Sequence, residues 1–327
     1  MNRFEYVIPK SVDQVVALLK GGAVLKAGGI DLLDQMKEGT IAPTRLINLN
    51  ALAALRYVRT DATGLRLGPT ATLAQIAADG AVRGRYAALA EAAASAANPQ
   101  IRNLATVGGN LCQRPRCWYF RAAEFPCLKK GGPTCFAKEG ENKYHAIFGG
   151  GPSYIVHPST MATALCAFRA NLHILGPGGK TREVPLDKFF TLPTIDAYER
   201  ENVLAADELI TEIALPAPPE GTRSAFLAAK ERQVHDWPLG EVAVFLTMRG
   251  ETCQAAQVVL GAVAPIPWRA AGAEAALAGK RVTADVAAAA GRAAVAGAKP
   301  LHGNGYKVAL MQALVARAVH VAAARRS

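Results

Sequence analysis

Two Gly-Gly pairs set the first limits on how this chain can fold. Gly28-Gly29 follows Ala23-Val-Leu-Lys26, which reads as a short buried strand, and precedes Ile30-Asp31-Leu32-Leu33, which opens a helix. A backbone that leaves a strand and enters a helix within so few residues uses conformations that glycine adopts most freely. N–H groups exposed at such a turn, beside a helix terminus that favours negative charge, can hold a pyrophosphate. Ala105-Thr106-Val107-Gly108-Gly109-Asn110-Leu111 is a second turn of this kind, with a hydroxyl and an amide as added donors. Neither is a GxGxxG or a Walker loop, and a double-glycine turn alone is more often plain structure than a ligand site.

Local signals around the turns predict an α+β chain with a mixed sheet. Ser11-Val-Asp-Gln14 and Thr72-Leu-Ala-Gln75 have capping-box spacing, and Val12, Val15, Val16 and Leu19 fall on one helical face. A helix rich in small residues is predicted over 86–97, a strand at 154–156, a helix at 161–168 and a hairpin over 171–184. With 327 residues the chain exceeds the usual size of one core, and the prolines of PAPPEG at 216–221 break both helix and sheet. The predicted division is a first domain over 1–215, a linker over 216–222 and a second domain over 223–327. The second carries strands at 241–248 and 257–263, then alanine-rich helices near 270–277, 284–296 and 306–324.

The stretch NLCQRPRCWYFRAAEFPCLKKGGPTCFA places four of the six cysteines, Cys112, Cys117, Cys127 and Cys135, directly after the second turn. The opening MNRFEYVIPKSVDQ has no apolar run of signal-peptide length, and charges interrupt the alanine-rich stretch after Trp268. A cytoplasmic protein without a membrane span is expected, in which thiols stay reduced and clustered cysteines bind metal or do redox chemistry more often than they form disulfides. Zinc would accept four cysteines, or three with His145 or His157, but the tight CxxC pairs of structural zinc sites are missing. Unliganded thiols are a further reading, and the natural one for Cys166 and Cys253. The net charge of +11 does not imply nucleic acid, since Lys and Arg are dispersed, aromatics are 6% of the chain and no nucleic-acid-binding module is present.

The segments FEYVIPKS, AGGIDLL, NPQIRNLATVGGNL, VHPSTMATAL, ERQVHDWPLGEVAV, LGAVAPIPWRA and NGYKVAL occur in this order along essentially the whole chain. Together they resemble the FAD-binding medium subunit of the molybdenum hydroxylases, the family of xanthine dehydrogenase, aldehyde oxidoreductase and carbon monoxide dehydrogenase. The resemblance implies a two-subdomain PCMH-type FAD-binding domain followed by a C-terminal α+β domain. It implies that Lys26, Ala27, Gly28, Gly29, Ile30, Asp31, Leu32 and Leu33, with Thr106, Gly108, Gly109 and Asn110, hold the FAD pyrophosphate. Ser159 and Thr160 then lie toward the flavin end.

By the same resemblance the chain is an oxidoreductase subunit of a heterotrimer, inactive alone and without catalytic residues of its own. A large molybdopterin-binding subunit transforms the substrate, a small [2Fe-2S] subunit passes electrons on, and FAD here exchanges them with an acceptor such as NAD or oxygen. Ile30 stands where many relatives have Thr or Ser, Thr160 where many have Asp, and Ala228 where many have Lys, so a flavin-less assembly module stapled by metal is the alternative. A subset that includes 4-hydroxybenzoyl-CoA reductase has an insertion carrying a [4Fe-4S] cluster. RCWYF followed by PCLKKGGPTCF resembles that insertion, over about 112–152, and implies Cys117, Cys127 and Cys135 as ligands. The subset's fourth cysteine corresponds to Ser153, which leaves Cys112 as the expected fourth thiolate. Arg114, Arg116, Lys129 and Lys130 are expected to favour the reduced form of a nearby centre.

Overall fold

The structure is a computed structural model and describes residues 1–194, 198–232 and 234–325, so that Gln233 of ERQVHDWPLGEVAV and the last two residues of the chain lie outside it. Three sheets organise the fold. In the first, Arg45–Asn48 lies between Glu5–Val7 and Ala23–Lys26, and both pairings are parallel. Parallel neighbours need crossovers, and the helices Val12–Leu18 and Ile30–Lys37 lie in them. Ser11 caps the former by accepting the Gln14 N–H at 3.2 Å. Val15, Leu19, Ile47, Leu49 and Leu52 form a small core under this sheet.

The second sheet is antiparallel, in the order Val58–Thr60, Gly64–Leu67, Leu209–Pro216, Asn171–Leu175 and Thr181–Pro185. Helices Leu73–Ala78, Ala87–Ser95 and Thr160–Ala167 cover it, burying Leu65, Leu67, Ile76, Leu89, Met161, Leu165 and Ile213 in the largest core. Thr72 and Gln75 complete a reciprocal capping box at the start of the first of these helices. The third sheet runs Trp268–Arg269, Thr252–Gly261, Gly240–Arg249 and Thr222–Ala229, with helices Ala271–Leu277, Ala284–Ala294 and Tyr306–Ala324 sharing its core. Leu209–Pro216 belongs to the second sheet and Thr222–Ala229 to the third, so the proline segment joins two sheets, and Phe226, Ala243 and Val259 of the third pack into the largest core as well.

Two local expectations are corrected. The mixed sheet does not form, because parallel pairing stays in the N-terminal lobe, where short crossover helices permit it, and every other ladder is antiparallel. Residues 154–156 form no strand: the Tyr154 carbonyl accepts only from Ala146 N–H at 2.9 Å, and the neighbouring His157 N–H donates to the Ala264 carbonyl, single bonds rather than a ladder. Tyr306–Ala324 is long and apolar enough to cross a membrane by length and composition. It packs instead into the third core through Met311, Val315, Ala318, Val319 and Ala322. Its Lys307, fully buried, donates to the carbonyls of Tyr144 at 2.9 Å and Ala262 at 2.8 Å.

The cysteine-bearing insertion contains one short helix, Trp118–Arg121, and a 3-10 turn, Leu128–Lys130, and is otherwise irregular. Ion pairs fasten it. Asp31 Oδ2 accepts the backbone N–H of Arg114 and the Gln35 side chain, both at 2.8 Å. Asp31 Oδ1 lies 2.5 Å from the Arg121 guanidinium and 2.9 Å from that of Arg116. Arg114 and Lys129 converge on the buried Glu201, each at 2.7 Å. Lys130 donates to the Ala122 carbonyl at 2.5 Å. The expectation that these bases bias a redox centre is therefore corrected for Arg114, Arg116 and Lys129, whose charges are neutralised by carboxylates.

Removing the Asp31 charge leaves Arg116 and Arg121 mostly buried without their shared partner. Asp31→Asn is expected to lower unfolding free energy by about 3 kcal/mol, the scale for breaking a buried pair. Chemical denaturation measures this, and limited proteolysis should cut first within 112–152; an unchanged midpoint contradicts the anchoring role.

Candidate functional site

The two glycine turns lie back to back. A Cβ built on Gly28 falls 2.0 Å from the Leu104 carbonyl oxygen, so the first turn presses on the segment that enters the second. Gly29 has φ of 80° and caps the helix Ile30–Lys37. Among the described residues, nothing accepts the N–H groups of Gly28, Gly29, Ile30, Asp31 and Leu32. Leu33 N–H closes the first helical bond to Gly29 O at 3.0 Å. Ala27 contributes its carbonyl to Asn50 Nδ2 at 2.9 Å, with Lys26 Nζ at 3.4 Å from the same oxygen.

The second turn spends its own donors. Val107 N–H goes to Ala71 O and Gly108 N–H to Pro69 O, both at 2.9 Å. Gly109 N–H goes to Thr106 Oγ1 at 3.2 Å, and Asn110 N–H to Thr106 O at 2.8 Å. What this turn presents outward is the bare face of Gly109, where an added Cβ meets only Thr106 Oγ1, at 3.0 Å. Asn110 Oδ1 accepts from Ser159 Oγ at 2.7 Å and from Met161 N–H at 3.3 Å, which ties the turn to the start of helix Thr160–Ala167. The next residue, Thr160, donates its hydroxyl to Glu241 Oε1 at 2.5 Å.

That last contact reaches a cavity of about 500 Å³ walled by Val156, His157, Pro158, Glu241 and Leu239, with Cys117, Trp118, Tyr144, His145 and Trp237 on other sides. His145 and His157 on its wall are neutral. His157 Nδ1 accepts the Ser159 N–H at 3.2 Å, so its proton sits on Nε2, which has no partner. Burial, with a smaller push from Lys129, lowers its pKa to about 3. His145 is lowered to about 4 by burial and then by Lys307. Glu241 is raised to about 7 by burial, against hydrogen bonds from Thr160 and Thr163 and the charge of Lys230. Glu241 and Trp237 were not anticipated; an acid inside the otherwise apolar strand start LGEVAV was the available signal for the former.

Cys117, Cys127 and Cys135 share one small apolar cluster with Tyr119, Phe120 and Phe136. Cys112 does not join them: it follows the helix Val107–Leu111 and packs on the large N-terminal core, so the expectation that it completes the set is corrected. Cys166 also packs on that core, Cys253 is buried in the third, and all six cysteines are free thiols. Burial pushes Cys112 and Cys117 up to about 12, so both hold their protons unless a cation replaces them. His145 Nε2 lies 3.2 Å from Cys117 Sγ, yet among the described residues no three His, Cys, Asp or Glu side chains converge on a single ion position. Zinc therefore finds no preformed tetrahedron here.

Residues 2–218 match the family described as the FAD binding domain in molybdopterin dehydrogenase, and residues 224–322 the CO dehydrogenase flavoprotein C-terminal domain. The chain is 38% identical to the aldehyde oxidoreductase FAD-binding subunit PaoB of Escherichia coli K12, over 78% of this chain and 79% of that one. It is 32% identical to the carbon monoxide dehydrogenase medium chain of Hydrogenophaga pseudoflava, over 99% and 98% of the two chains. A solved carbon monoxide dehydrogenase from that organism, lacking the Mo-pyranopterin moiety of its cofactor, superposes with a TM-score of 0.78 over 100% of this chain and 99% of its own. Quinoline 2-oxidoreductase of Pseudomonas putida 86 shares the fold at 24% identity and a TM-score of 0.76, over 98% of this chain and 97% of its own.

The two buried histidines make stability depend on pH. Both have folded-state pKa values below the ordinary 6.5, so the unfolded chain binds more protons as pH falls. The stability gained by keeping them neutral is complete above 6.5 and is lost toward the folded values of about 4 and 3, at about 1.4 kcal/mol per pH unit for each group. In His157→Gln the acid limb of unfolding midpoint against pH should be shallower by one group's share; an equally steep limb contradicts the assignment.

Proposed function

Because the chain belongs to the family of FAD-binding domains of the molybdopterin dehydrogenases, we propose that it is the electron-transferring FAD subunit of a molybdenum hydroxylase complex. The observation that carries this reading is the helix start at Ile30, whose N–H groups find no acceptor among the described residues, on a turn that packs against Leu104 at the entry to the second turn with its bare Gly109. Those donors and the positive helix end suit a diphosphate, and they do not depend on side chains. The apolar Ile30, the occupied Thr160 hydroxyl and Ala228 withhold three side-chain contacts but leave the backbone cradle intact.

Bound FAD supplies exchange of single electrons for pairs. The chain's residues do the rest. The Ser159–Asn110 bond locks the second turn to helix Thr160–Ala167, and the cavity beyond, with neutral His157 and Pro158 on its wall, takes the flavin ring. Substrate chemistry then falls to a large molybdopterin-binding partner, and a small [2Fe-2S] partner delivers electrons that leave for NAD or oxygen. Such a complex works in the cytoplasm.

We assign the insertion a [4Fe-4S] cluster on Cys117, Cys127 and Cys135. A cubane sets each thiolate on a different iron, so it asks its ligands to share a pocket rather than one ion position, and membership of the three cysteines in one apolar cluster supports the reading. With Cys112 in another core, the fourth donor falls to Ser153, buried next to Tyr154 of the same cluster.

Absorption spectra and acid extraction of the purified complex test the reading; extraction without FAD would favour the assembly module. Gly109→Val should lose FAD with its melting temperature kept, because the added atoms enter the cradle and displace little protein. Gly28→Val should unfold early, since its Cβ meets the Leu104 carbonyl at 2.0 Å. The isolated subunit should not oxidise aldehydes or purines. Iron and sulfide should vanish in Cys127→Ala and persist in Cys112→Ala, and the reverse pattern overturns the ligand set.

A further inference from the structure

Three glutamates are buried in the described chain, and two have cations. Glu201 lies between Arg114 and Lys129, and Glu274 pairs with Arg269 at 2.6 Å. Glu241, 2% exposed, has only hydroxyls: Thr160 Oγ1 at 2.5 Å from Oε1 and Thr163 Oγ1 at 3.3 Å from Oε2. Its place is built for it. On the flanking strands it faces Gly261 and Ala228, and a Cβ on Gly261 would fall 2.4 Å from Glu241 Oε2 and 2.3 Å from Thr163 Oγ1.

The other charges around the cavity are paired off. Arg116 is held by Asp31 at 2.9 Å, Arg232 by Asp236 at 2.8 Å and Glu231 by Lys143 at 2.6 Å. His145 and His157 are neutral, and His235 Nδ1 meets the Asn98 amide at 3.0 Å. Lys230, the base that acts on Glu241 through space, donates to the Ser95 carbonyl at 2.6 Å. A buried acid without a counter-charge costs stability compared with an apolar residue, so its position on the cavity wall calls for a task.

We propose that Glu241 is the proton donor of the flavin site, an inference that rests on FAD occupying this cavity. As two electrons arrive singly from reduced [2Fe-2S] centres of the partner, the O–H bond of Glu241 breaks and an N–H bond forms on the flavin ring. The carboxylate left behind is stabilised by the Thr160 and Thr163 hydroxyls. Glu241 regains its proton only after the flavin is reoxidised, from water entering between the exposed Trp118, Tyr144 and Trp237. Its pKa of about 7 in the folded chain makes both forms accessible near neutral pH.

The test is a reduced-minus-oxidised infrared difference spectrum of the FAD-loaded complex. Reduction should remove the C=O band of a protonated carboxyl. That change should be missing in Glu241→Gln and shifted in frequency in Thr160→Val, which keeps the acid but deletes its shortest hydrogen bond. If Glu241→Gln does not fold, the Thr160→Val shift decides alone. No carboxyl change in the wild type, the same change in Glu241→Gln, or an unshifted band in Thr160→Val overturns the assignment. A complex from which no FAD can be extracted overturns the flavin reading itself, whereas bound FAD without a carboxyl signal overturns this inference only.

Discussion

One carboxylate organises the N-terminal half of the molecule. Asp31 stands in the first turn of the helix that follows Gly28-Gly29, where a negative charge is favoured by the helix end. The same carboxylate takes the Arg114 backbone and the guanidinium groups of Arg116 and Arg121 from the insertion. Glu201 repeats the device with Arg114 and Lys129. The insertion has almost no regular structure of its own, so these buried pairs, with the aromatic cluster of Tyr119, Phe125 and Phe136, define its position. The first glycine turn and the cysteine-bearing loop are thereby fixed to each other through one side chain. Buried ion pairs contribute little net stability against an apolar substitute but specify one arrangement.

The features legible in the sequence are those decided within a few residues. The capping box at Thr72–Gln75, the glycine at positive φ before Ile30 and the turn between Asn171–Leu175 and Thr181–Pro185 each follow from local backbone chemistry. The illegible features depend on residues far apart in the chain. Cys112 looks like a member of the cysteine set because it is five residues from Cys117, but the helix Val107–Leu111 directs it into a different core. Asp31 reads as one more residue of an anion turn until Arg116 and Arg121, more than eighty residues later, claim its oxygens. Residues 154–156 have strand composition, and what denies them a ladder is the absence of a neighbouring strand with matching register.

The unequal donor economy of the two turns has the same origin. Both expose glycine pairs, and their sequences alone give them equal standing as anion sites. The five-residue helix Val107–Leu111 is short enough for the carbonyls of Pro69 and Ala71 and the Thr106 hydroxyl to take its leading N–H groups. The helix after Gly29 has no such neighbours among the described residues, and its leading N–H groups stay available. One turn thus provides donors and the other provides clearance, a division visible only once the path of the chain between them is known.

The electrostatics of the cavity follow from how burial treats each group. A buried histidine gives up its proton, a buried thiol keeps it and a buried amine is pushed toward neutrality, so His145, His157, Cys117 and Lys307 all shift toward uncharged forms. Surface charges at the rim are cancelled by partners within hydrogen-bond reach. Little fixed charge is left to stabilise or oppose electrons arriving in this space. A centre that gains negative charge in such surroundings is stabilised by acquiring a proton, because few fixed charges stand nearby to offset it. Among the described wall groups, Glu241 already has its carboxyl bound by two hydroxyls, so giving up a proton there leaves an anion that is hydrogen-bonded, which is why the proposed donor role falls to it.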